Sequence, residues 1–132
     1  MIKREQQYKR KINYIIEKIT NLPDASNEFM VDALFYRIHT SIEAAIDLIA
    51  MMVKDIGYTV EDDISNIEIL IEKKLILPEI GTNLRLYNSL RNILVHRYNK
   101  LELEEFNKKI PEIRKTLLKL VGVVENFTKK NR

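Results

Sequence analysis

Apolar residues recur along the whole chain at intervals of three and four, the spacing of amphipathic helices. The first such segment covers roughly residues 2–19 and ends before Pro23. The second runs from about residue 26 to residue 56, which corresponds to about 45 Å of helix, and Gly57 suits its carboxyl-terminal cap. The second segment is therefore expected to be the central helix of a small bundle.

A third, shorter helix is predicted next. Thr59 can cap its amino terminus, and the acidic run of residues 61–63 would lie in the positively polarised first turn. On this register Val60 and Ile64 face the core, and Pro78 ends the helix. The acidic run could also bind a divalent ion, but a charge cluster at a helix start is the commoner explanation.

Two further helical segments complete the chain. The fourth begins after a turn near Gly81, and the fifth runs from about Glu102 to Phe127 with a break or kink at Pro111. Connections this short make consecutive helices neighbours. The pattern therefore predicts an all-α fold, an antiparallel four- to five-helix bundle with one long central helix. Its 132 residues fit a single domain over residues 1–132.

The apolar face of the second helix is unusually wide. Ala44, Ala45, Leu48 and Met51 lie beside its main stripe. A homodimer contact would cover this surface, and so would full burial inside one protomer. The sequence leaves both alternatives open.

Composition excludes several classes of protein. Hydrophobic residues make up 45% of the chain and charged residues 31%, a balance typical of globular proteins. The absence of cysteine excludes disulfides and thiolate metal sites. The two histidines match no short metal motif, and the three isolated glycines form no phosphate-binding loop. We therefore expect no cofactor and no metal.

No segment is long and apolar enough to span a membrane, and no apolar run follows the basic amino terminus. The sequence thus predicts a cytoplasmic protein without a membrane partner.

The net charge of +3 is unevenly distributed. Basic residues dominate residues 1–18 and 73–132, whereas acidic residues dominate residues 19–72. If the two basic ends fold against each other, they form a positive face suited to phosphate groups. The alternative is a mixed charge distribution that only solvates the helices.

The most unusual local composition lies at the end of the fourth helix, where an arginine, an amide, a histidine and a tyrosine occur close together. Arg91 supplies a forked cation that can hold a scissile phosphate and stabilise charge developing on its oxygens. His96 can take a proton from a ribose 2′-hydroxyl or return one to the leaving oxygen. Together these two side chains suffice in principle for RNA cleavage without a metal.

The string Arg-Asn-Ile-Leu-Val-His-Arg-Tyr over residues 91–98 resembles the Arg-x4-His-x-Tyr motif of the HEPN superfamily, specifically its HepT-like toxins. Residues 36–47 resemble the long second helix of the same family. The resemblance implies a dimeric helical bundle with Arg91 and His96 in a ribonuclease site near the dimer cleft. It also implies that a nucleotidyltransferase antitoxin adenylylates Tyr98, and that Asn92 occupies a position at which polar residues are common.

Helix geometry constrains this site. Arg91 and His96 are separated by about 140° around an ideal helix, whereas Tyr98 lies within about 20° of Arg91. Either the helix loosens after Val95, or the site joins Arg91 of one protomer to His96 of its partner. We expect the second arrangement. Glu43 and Asp47 are the candidate partners of the Arg91 guanidinium, through contacts that either support the site or only orient the helix.

The leading hypothesis is thus an endoribonuclease toxin that cleaves RNA by 2′-hydroxyl attack and is neutralised by a nucleotidyltransferase antitoxin. The alternative is a non-catalytic helical binding partner of a nucleotidyltransferase. A third interpretation uses the motif only for packing. For His39, the second histidine, we expect a surface or interhelical hydrogen-bonding role.

Overall fold

The computed structural model describes residues 2–24, 26–95 and 100–130, with side chains over residues 3–24, 26–90 and 104–130. Within these ranges the chain forms five helices and no strand, which confirms the predicted all-α fold. In chain order the helices are α1 (Ile2–Thr20), α2 (Glu28–Asp55), α3 (Asp63–Glu72), α4 (Pro78–Val95) and α5 (Lys100–Lys130).

The long helix α2 is the centre of the bundle. Its amino terminus is capped by Asn27, whose side chain accepts a hydrogen bond of 2.9 Å from the backbone N–H of Met30. The helix packs against each of the other four helices. Ala44, Ala45 and Leu48 are almost completely buried inside the protomer. Burial is therefore correct for these three residues, which offer no surface to a second copy, whereas Met51 is only partly buried.

Three ring and hydroxyl contacts set the directions of the helices. Phe35 near the start of α2 packs against Phe106 near the start of α5, with ring centroids 4.6 Å apart. At the opposite end, Tyr8 of α1 packs against Phe127 of α5 at 6.1 Å and donates a hydrogen bond to Asp55 of α2. Helices α2 and α5 are thus parallel, and α1 is antiparallel to both.

The start of α3 differs from the prediction. Asp62 rather than Thr59 is the amino-terminal cap, and its carboxylate accepts hydrogen bonds from the N–H and the hydroxyl of Ser65. The buried side chain of Asn66 bonds to both the N–H and the C=O of Glu61, at 2.8 and 3.0 Å. The Asn66 side chain thus binds backbone groups of Glu61 that would otherwise have helical backbone partners. The segment before α3 therefore stays extended.

The later start of α3 changes which apolar residues are buried. Val60 and Ile64 are exposed to 43% and 49%, so their predicted core positions are wrong. Ile67 and Leu70, by contrast, are fully buried. The acidic residues that precede α3 are thus accompanied by exposed apolar side chains.

Prolines and glycines mark the remaining boundaries differently from the prediction. Lys74 adopts a left-handed conformation with φ of 58°, so α3 ends before Leu77. Pro78 does not follow a helix but begins α4, a position where its missing N–H costs nothing. Gly81 consequently lies inside α4, packed so closely on α3 that a Cβ atom there would overlap the side chain of Ile71.

Helix α5 continues through Pro111 without interruption, so the predicted break is wrong. Both Pro111 and Asn107, whose carbonyl loses its helical partner, are exposed, and water can bind the carbonyl instead. Along the chain as described, no helix combines the length and the apolarity that membrane crossing requires.

Candidate functional site

The motif lies at the carboxyl-terminal end of α4. The helical backbone is described as far as Val95 and therefore includes Arg91 and Asn92. The side chains of Arg91 and Asn92, and all of His96 and Tyr98, lie outside the described residues. Their predicted catalytic, supporting and modification roles therefore remain predictions, and the surrounding helices show where this end of α4 lies.

Helix α4 is fixed against α5 by a small polar cluster. The buried hydroxyl of Tyr87 shares a hydrogen bond of 3.1 Å with that of Thr116, which also accepts one of 3.2 Å from Asn83. Burial raises the pKa of Tyr87, with a smaller opposing effect from the Thr116 hydrogen bond. Because Tyr87 precedes Arg91 by about one turn, this cluster sets the direction and height of the segment that carries the motif.

Helix α3 holds the opposite side of α4. Arg85 donates a hydrogen bond of 2.8 Å to Glu68, and the amide of Asn88 lies 3.5 Å from the carboxylate of Asp63. The oxygen of the Asn88 amide is buried and has no hydrogen-bond partner within the described ranges. Two different helices therefore fix the part of α4 just before the motif.

The end of α4 lies at the end of the bundle where α2 begins. Only residues 96–99 separate α4 from α5, so the two helices are antiparallel. Residues after Tyr87 in α4 therefore lie at the same height along the bundle as residues of α5 between Phe106 and Thr116. Since Phe106 contacts Phe35, the last turns of α4 lie beside the amino-terminal half of α2.

The two acidic residues predicted as partners of Arg91 have other contacts. The carboxylate of Asp47 forms an ion pair with the ammonium group of Lys11 of α1, at a distance of 2.8 Å. Glu43 contacts Nε2 of His39, one turn earlier on α2. The predicted pairing of Glu43 or Asp47 with Arg91 is not tested by these contacts. The contact of His39 is made within one helix.

An open groove between α1 and α2 brings Glu43 and Asp47 together with basic residues. It has a volume of about 340 Å³ and is lined by Arg10, Lys11, Tyr14, Thr40, Glu43, Ala44 and Asp47. The groove combines both signs of charge, because the Lys11–Asp47 pair crosses it. Its charge pattern suits a polar ligand but is not specific for phosphate.

The two basic ends of the chain pack against each other. This packing is the condition that the charge distribution set for a positive face. Helix α1 contacts α5 directly, through Tyr8 and Phe127. The exposed cations of this pair include Lys9, Arg10, Lys108, Lys115, Lys119 and Lys129. Across the described side chains, no cluster of three or more histidines and carboxylates could hold a metal ion.

Sequence reasoning missed the polar residues that fix α4. Asn83 and Asn88 lie on α4 and Thr116 on α5, each on a helix face that otherwise contributes to the core. Their signal in the sequence is a polar residue one turn from buried apolar residues. Such a position gives no information about its partner until the helices are packed.

Residues 6–122 match the family model described as Ribonuclease HepT-like. The chain belongs to the HepT-like ribonuclease family. This confirms the resemblance drawn from residues 91–98 and 36–47.

Two relatives from Archaeoglobus fulgidus, both named as candidate RNases, agree with the family match. One is 41% identical over 128 residues, which cover 96% of this chain and 97% of the relative. The other is 35% identical over 129 residues, covering 94% and 98%. Both matches extend over nearly the whole chain.

Solved structures share the fold. A chain from a mutant of the toxin–antitoxin MntA–HpeT superimposes with a TM-score of 0.79 at 18% identity, covering 90% of this chain and 98% of that one. A complex of a tri-AMPylated Shewanella oneidensis HEPN toxin with its MNT antitoxin gives a TM-score of 0.69 at 20% identity, covering 95% and 96%. The chain thus combines a HepT-like sequence with the fold of these solved structures.

Proposed function

We propose that this HepT-like protein is a metal-independent endoribonuclease toxin that acts on RNA and is neutralised by a nucleotidyltransferase antitoxin. The observation that carries the proposal is the complete Arg-x4-His-x-Tyr string in a chain that belongs to a ribonuclease family. The fold supports it, because the helix that carries the string is fixed on two sides, by Thr116 and by Asp63.

The proposed reaction is an internal transesterification. His96 accepts the proton of the ribose 2′-hydroxyl as that oxygen attacks the adjacent phosphorus, and Arg91 stabilises the charge on the phosphate oxygens. The bond from phosphorus to the 5′-oxygen breaks, and the 5′-oxygen takes up a proton. The products are a 2′,3′-cyclic phosphate and a free 5′-hydroxyl, and neither a metal nor a cofactor takes part.

RNA is proposed to bind through its phosphates to the basic residues of α1 and α5. The direct packing of these two helices supports this, because it brings two basic helices together while residues 19–72 carry most of the acidic residues. Such binding is sequence-independent, so any preference among RNAs must come from the site itself.

The active form is proposed to be a homodimer in which Arg91 of one protomer acts with His96 of the other. The angular separation of the two residues on an ideal helix motivates this arrangement. The buried face of α2 cannot supply the contact, but the start of α2 exposes Phe29 to 85% and Tyr36 to 61%. These two apolar surfaces lie at the same end of the bundle as the end of α4, which is where a shared site would need the second copy.

Neutralisation is proposed to occur by adenylylation of Tyr98. The supporting observation is structural similarity to a tri-AMPylated HEPN toxin bound to its MNT antitoxin. An adenylyl group on Tyr98 would add negative charge and bulk beside Arg91 and His96, and so exclude an RNA phosphate.

The proposal is tested by incubating the protein with a labelled tRNA pool in EDTA. The control is a His96→Ala protein that circular dichroism and size-exclusion chromatography show to be equally folded. Cleavage by the parent protein alone, leaving cyclic phosphate ends, is the expected result. If neither protein cleaves and mass spectrometry finds no adenylyl group, the alternative of a non-catalytic nucleotidyltransferase partner is favoured.

A further inference from the structure

The groove between α1 and α2 lies between the basic residues of α1 and the part of α2 beside the end of α4. Arg10 and Lys11 belong to its α1 wall, and at Thr40 it reaches the amino-terminal half of α2. The last turns of α4 lie beside this same half of α2. An RNA held by the basic residues of α1, with its scissile phosphate at the end of α4, would therefore pass close to the groove.

The α1 wall of the groove places an aromatic ring between two cations. Tyr14 lies one helical turn after Arg10 and one turn before Lys18. The ammonium group of Lys18 lies over the Tyr14 ring, 5.3 Å from its centroid, so a base would stack on the other face. Proteins that bind single-stranded RNA combine aromatic rings, which stack the bases, with cations that hold the adjoining phosphates. The α1 wall thus offers a stacking surface for one base.

The α2 wall presents two carboxylates with different partners. Asp47 is paired with Lys11 across the groove at 2.8 Å. Glu43 contacts Nε2 of His39, and 48% of the Glu43 side chain remains exposed. Since each carboxylate oxygen can accept two hydrogen bonds, the contact with His39 orients Glu43 and leaves both of its oxygens able to accept further donors. Glu43 is therefore the acceptor that a ligand in the groove can use.

A cation on the opposite wall complements this acceptor. Arg10 is exposed and forms no ion pair with the described side chains, so its guanidinium can donate to a ligand. The groove thus offers two acceptor oxygens from α2 and a fork of donors from α1, around a space of about 340 Å³. That volume lies at the lower end of the range of about 300–1,000 Å³ for small-molecule sites, which suits a single base.

Among the four RNA bases, guanine matches these groups. Its N1–H and 2-amino group are adjacent donors that fit the two oxygens of a carboxylate, and its O6 and N7 atoms are adjacent acceptors that fit an arginine fork. Adenine and cytosine have an amino group next to an acceptor, and uracil has one N–H between two carbonyl oxygens. Each of these three bases would place an acceptor against one oxygen of Glu43, and neither acceptor would then have a donor.

Resting on the proposed function, we propose that this groove is a base subsite of the ribonuclease site and binds one unpaired guanine of the RNA. The base stacks on Tyr14, its N1–H and 2-amino group donate to Glu43, and Arg10 donates to O6 and N7. This role of Glu43 is distinct from the pairing with Arg91 predicted from sequence. Phosphate contacts carry no sequence information, so the subsite gives the protein its preference among RNAs.

The subsite is tested by equilibrium binding to the His96→Ala protein, which is expected not to cleave its ligand. The probe is a labelled oligouridine RNA with one internal guanosine, compared with the same RNA carrying inosine, whose base lacks only the 2-amino group. We expect the guanosine RNA to bind about tenfold more tightly, because inosine loses a hydrogen bond to a charged group. Adenosine at the same position should bind no better than inosine.

Substitutions in the same His96→Ala background separate the acceptor from the stacking ring. Glu43→Gln should reduce the preference for guanosine over inosine to about twofold or less, because one acceptor oxygen becomes a donor group. The matched control is Glu72→Gln, which removes the same charge from an exposed residue at the end of α3 and should keep the preference. Tyr14→Leu should weaken binding of the guanosine RNA about tenfold, whereas Tyr14→Phe, which keeps the ring, should not.

The outcomes for the subsite and for the nuclease are distinct. If the parent cleaves RNA in EDTA but the guanosine and inosine RNAs bind equally, the subsite is wrong and the proposed function stands. The subsite is also wrong if folded Glu43→Gln protein keeps the full preference, or if none of the RNAs binds. If the parent does not cleave, but guanosine is preferred and Glu43→Gln abolishes the preference, the guanine-binding groove stands and the endoribonuclease proposal fails.

Discussion

The hydroxyl of Tyr8 donates a 2.6 Å hydrogen bond to the carboxylate of Asp55, joining the start of α1 to the end of α2. Arg4 pairs with the same carboxylate at 3.0 Å and also lies over the Tyr8 ring. Burial, reinforced by the hydrogen bond and charge of Asp55, raises the pKa of Tyr8 well above its ordinary value. The fold therefore favours the neutral phenol.

This relationship predicts an alkaline limit to stability. Since the folded-state pKa of Tyr8 exceeds its unfolded value of about 10, the contribution of Tyr8 is complete below that pH and is lost as the pH rises above it. Tyr8→Phe should lower the free energy of unfolding by about 1–2 kcal/mol at neutral pH. Urea unfolding at several pH values should show a weaker loss above pH 10 in Tyr8→Phe than in the parent, and parallel curves would contradict this explanation.

The close approach at Gly81 predicts a mutation that destabilises the protein despite improving helix propensity. Gly81→Ala gains about 1 kcal/mol in intrinsic propensity, but its methyl group would overlap Ile71. Overpacking of this kind costs about 1–3 kcal/mol. We therefore expect Gly81→Ala to lower the stability of the protein or to leave it unchanged. Ile71→Val removes the overlapping Cδ1 atom, and thermal unfolding of the double mutant should show positive coupling between the two substitutions.

The polar cluster between α4 and α5 predicts a second coupled pair. Thr116→Val removes the hydroxyl that contacts both Tyr87 and Asn83 and should cost about 1–2 kcal/mol. Tyr87→Phe should cost less when Thr116 is already valine. Chemical denaturation of the two single mutants and the double mutant measures this difference, and strict additivity would mean that the two hydroxyls do not interact in solution.

The proposed sharing of the site between two protomers predicts complementation between inactive proteins. Arg91→Ala and His96→Ala should each be inactive alone. Random exchange of their subunits would place one intact pair in half of the dimers and restore about a quarter of the parental cleavage activity. A site contained in one protomer would give no recovery, because no subunit in the mixture carries both residues.

The proposed modification of Tyr98 predicts a variant that escapes neutralisation. Tyr98→Phe should keep RNase activity and remain active in cells that express a cognate nucleotidyltransferase antitoxin, because it lacks the acceptor hydroxyl. Intact mass should show an added adenylyl group on the parent only. Full neutralisation of Tyr98→Phe would mean that the antitoxin acts by another route.

Sequence patterning predicted the helices better than their boundaries. The stripe that includes Ile38, Ile42 and Ile49 correctly identified α2 as the buried central helix, because burial repeats with the helical period. The start of α3 was misplaced because Asn66 binds the backbone of Glu61, a side-chain contact with no periodic signal. Pro78 was assigned to a helix end when it begins one, since proline is compatible with either position.

The sequence predicts the candidate site as a list of residues but not as an arrangement. Arg91, His96 and Tyr98 follow from a local string. The place of that string in the bundle depends on the packing of Phe35 against Phe106 and of Tyr87 against Thr116, which are contacts between distant parts of the chain. Helical spacing alone does not encode which faces of two helices meet.

The packing of α1 against α5 has a consequence for biosynthesis. Buried residues of α5, including Ile113, Leu117, Leu120 and Val124, complete a core whose other walls are made earlier. A nascent chain translated only as far as α4 lacks this wall, so the bundle closes only after α5 has been made. Under the proposed function, this order of synthesis delays the appearance of a competent nuclease until α5 has been made.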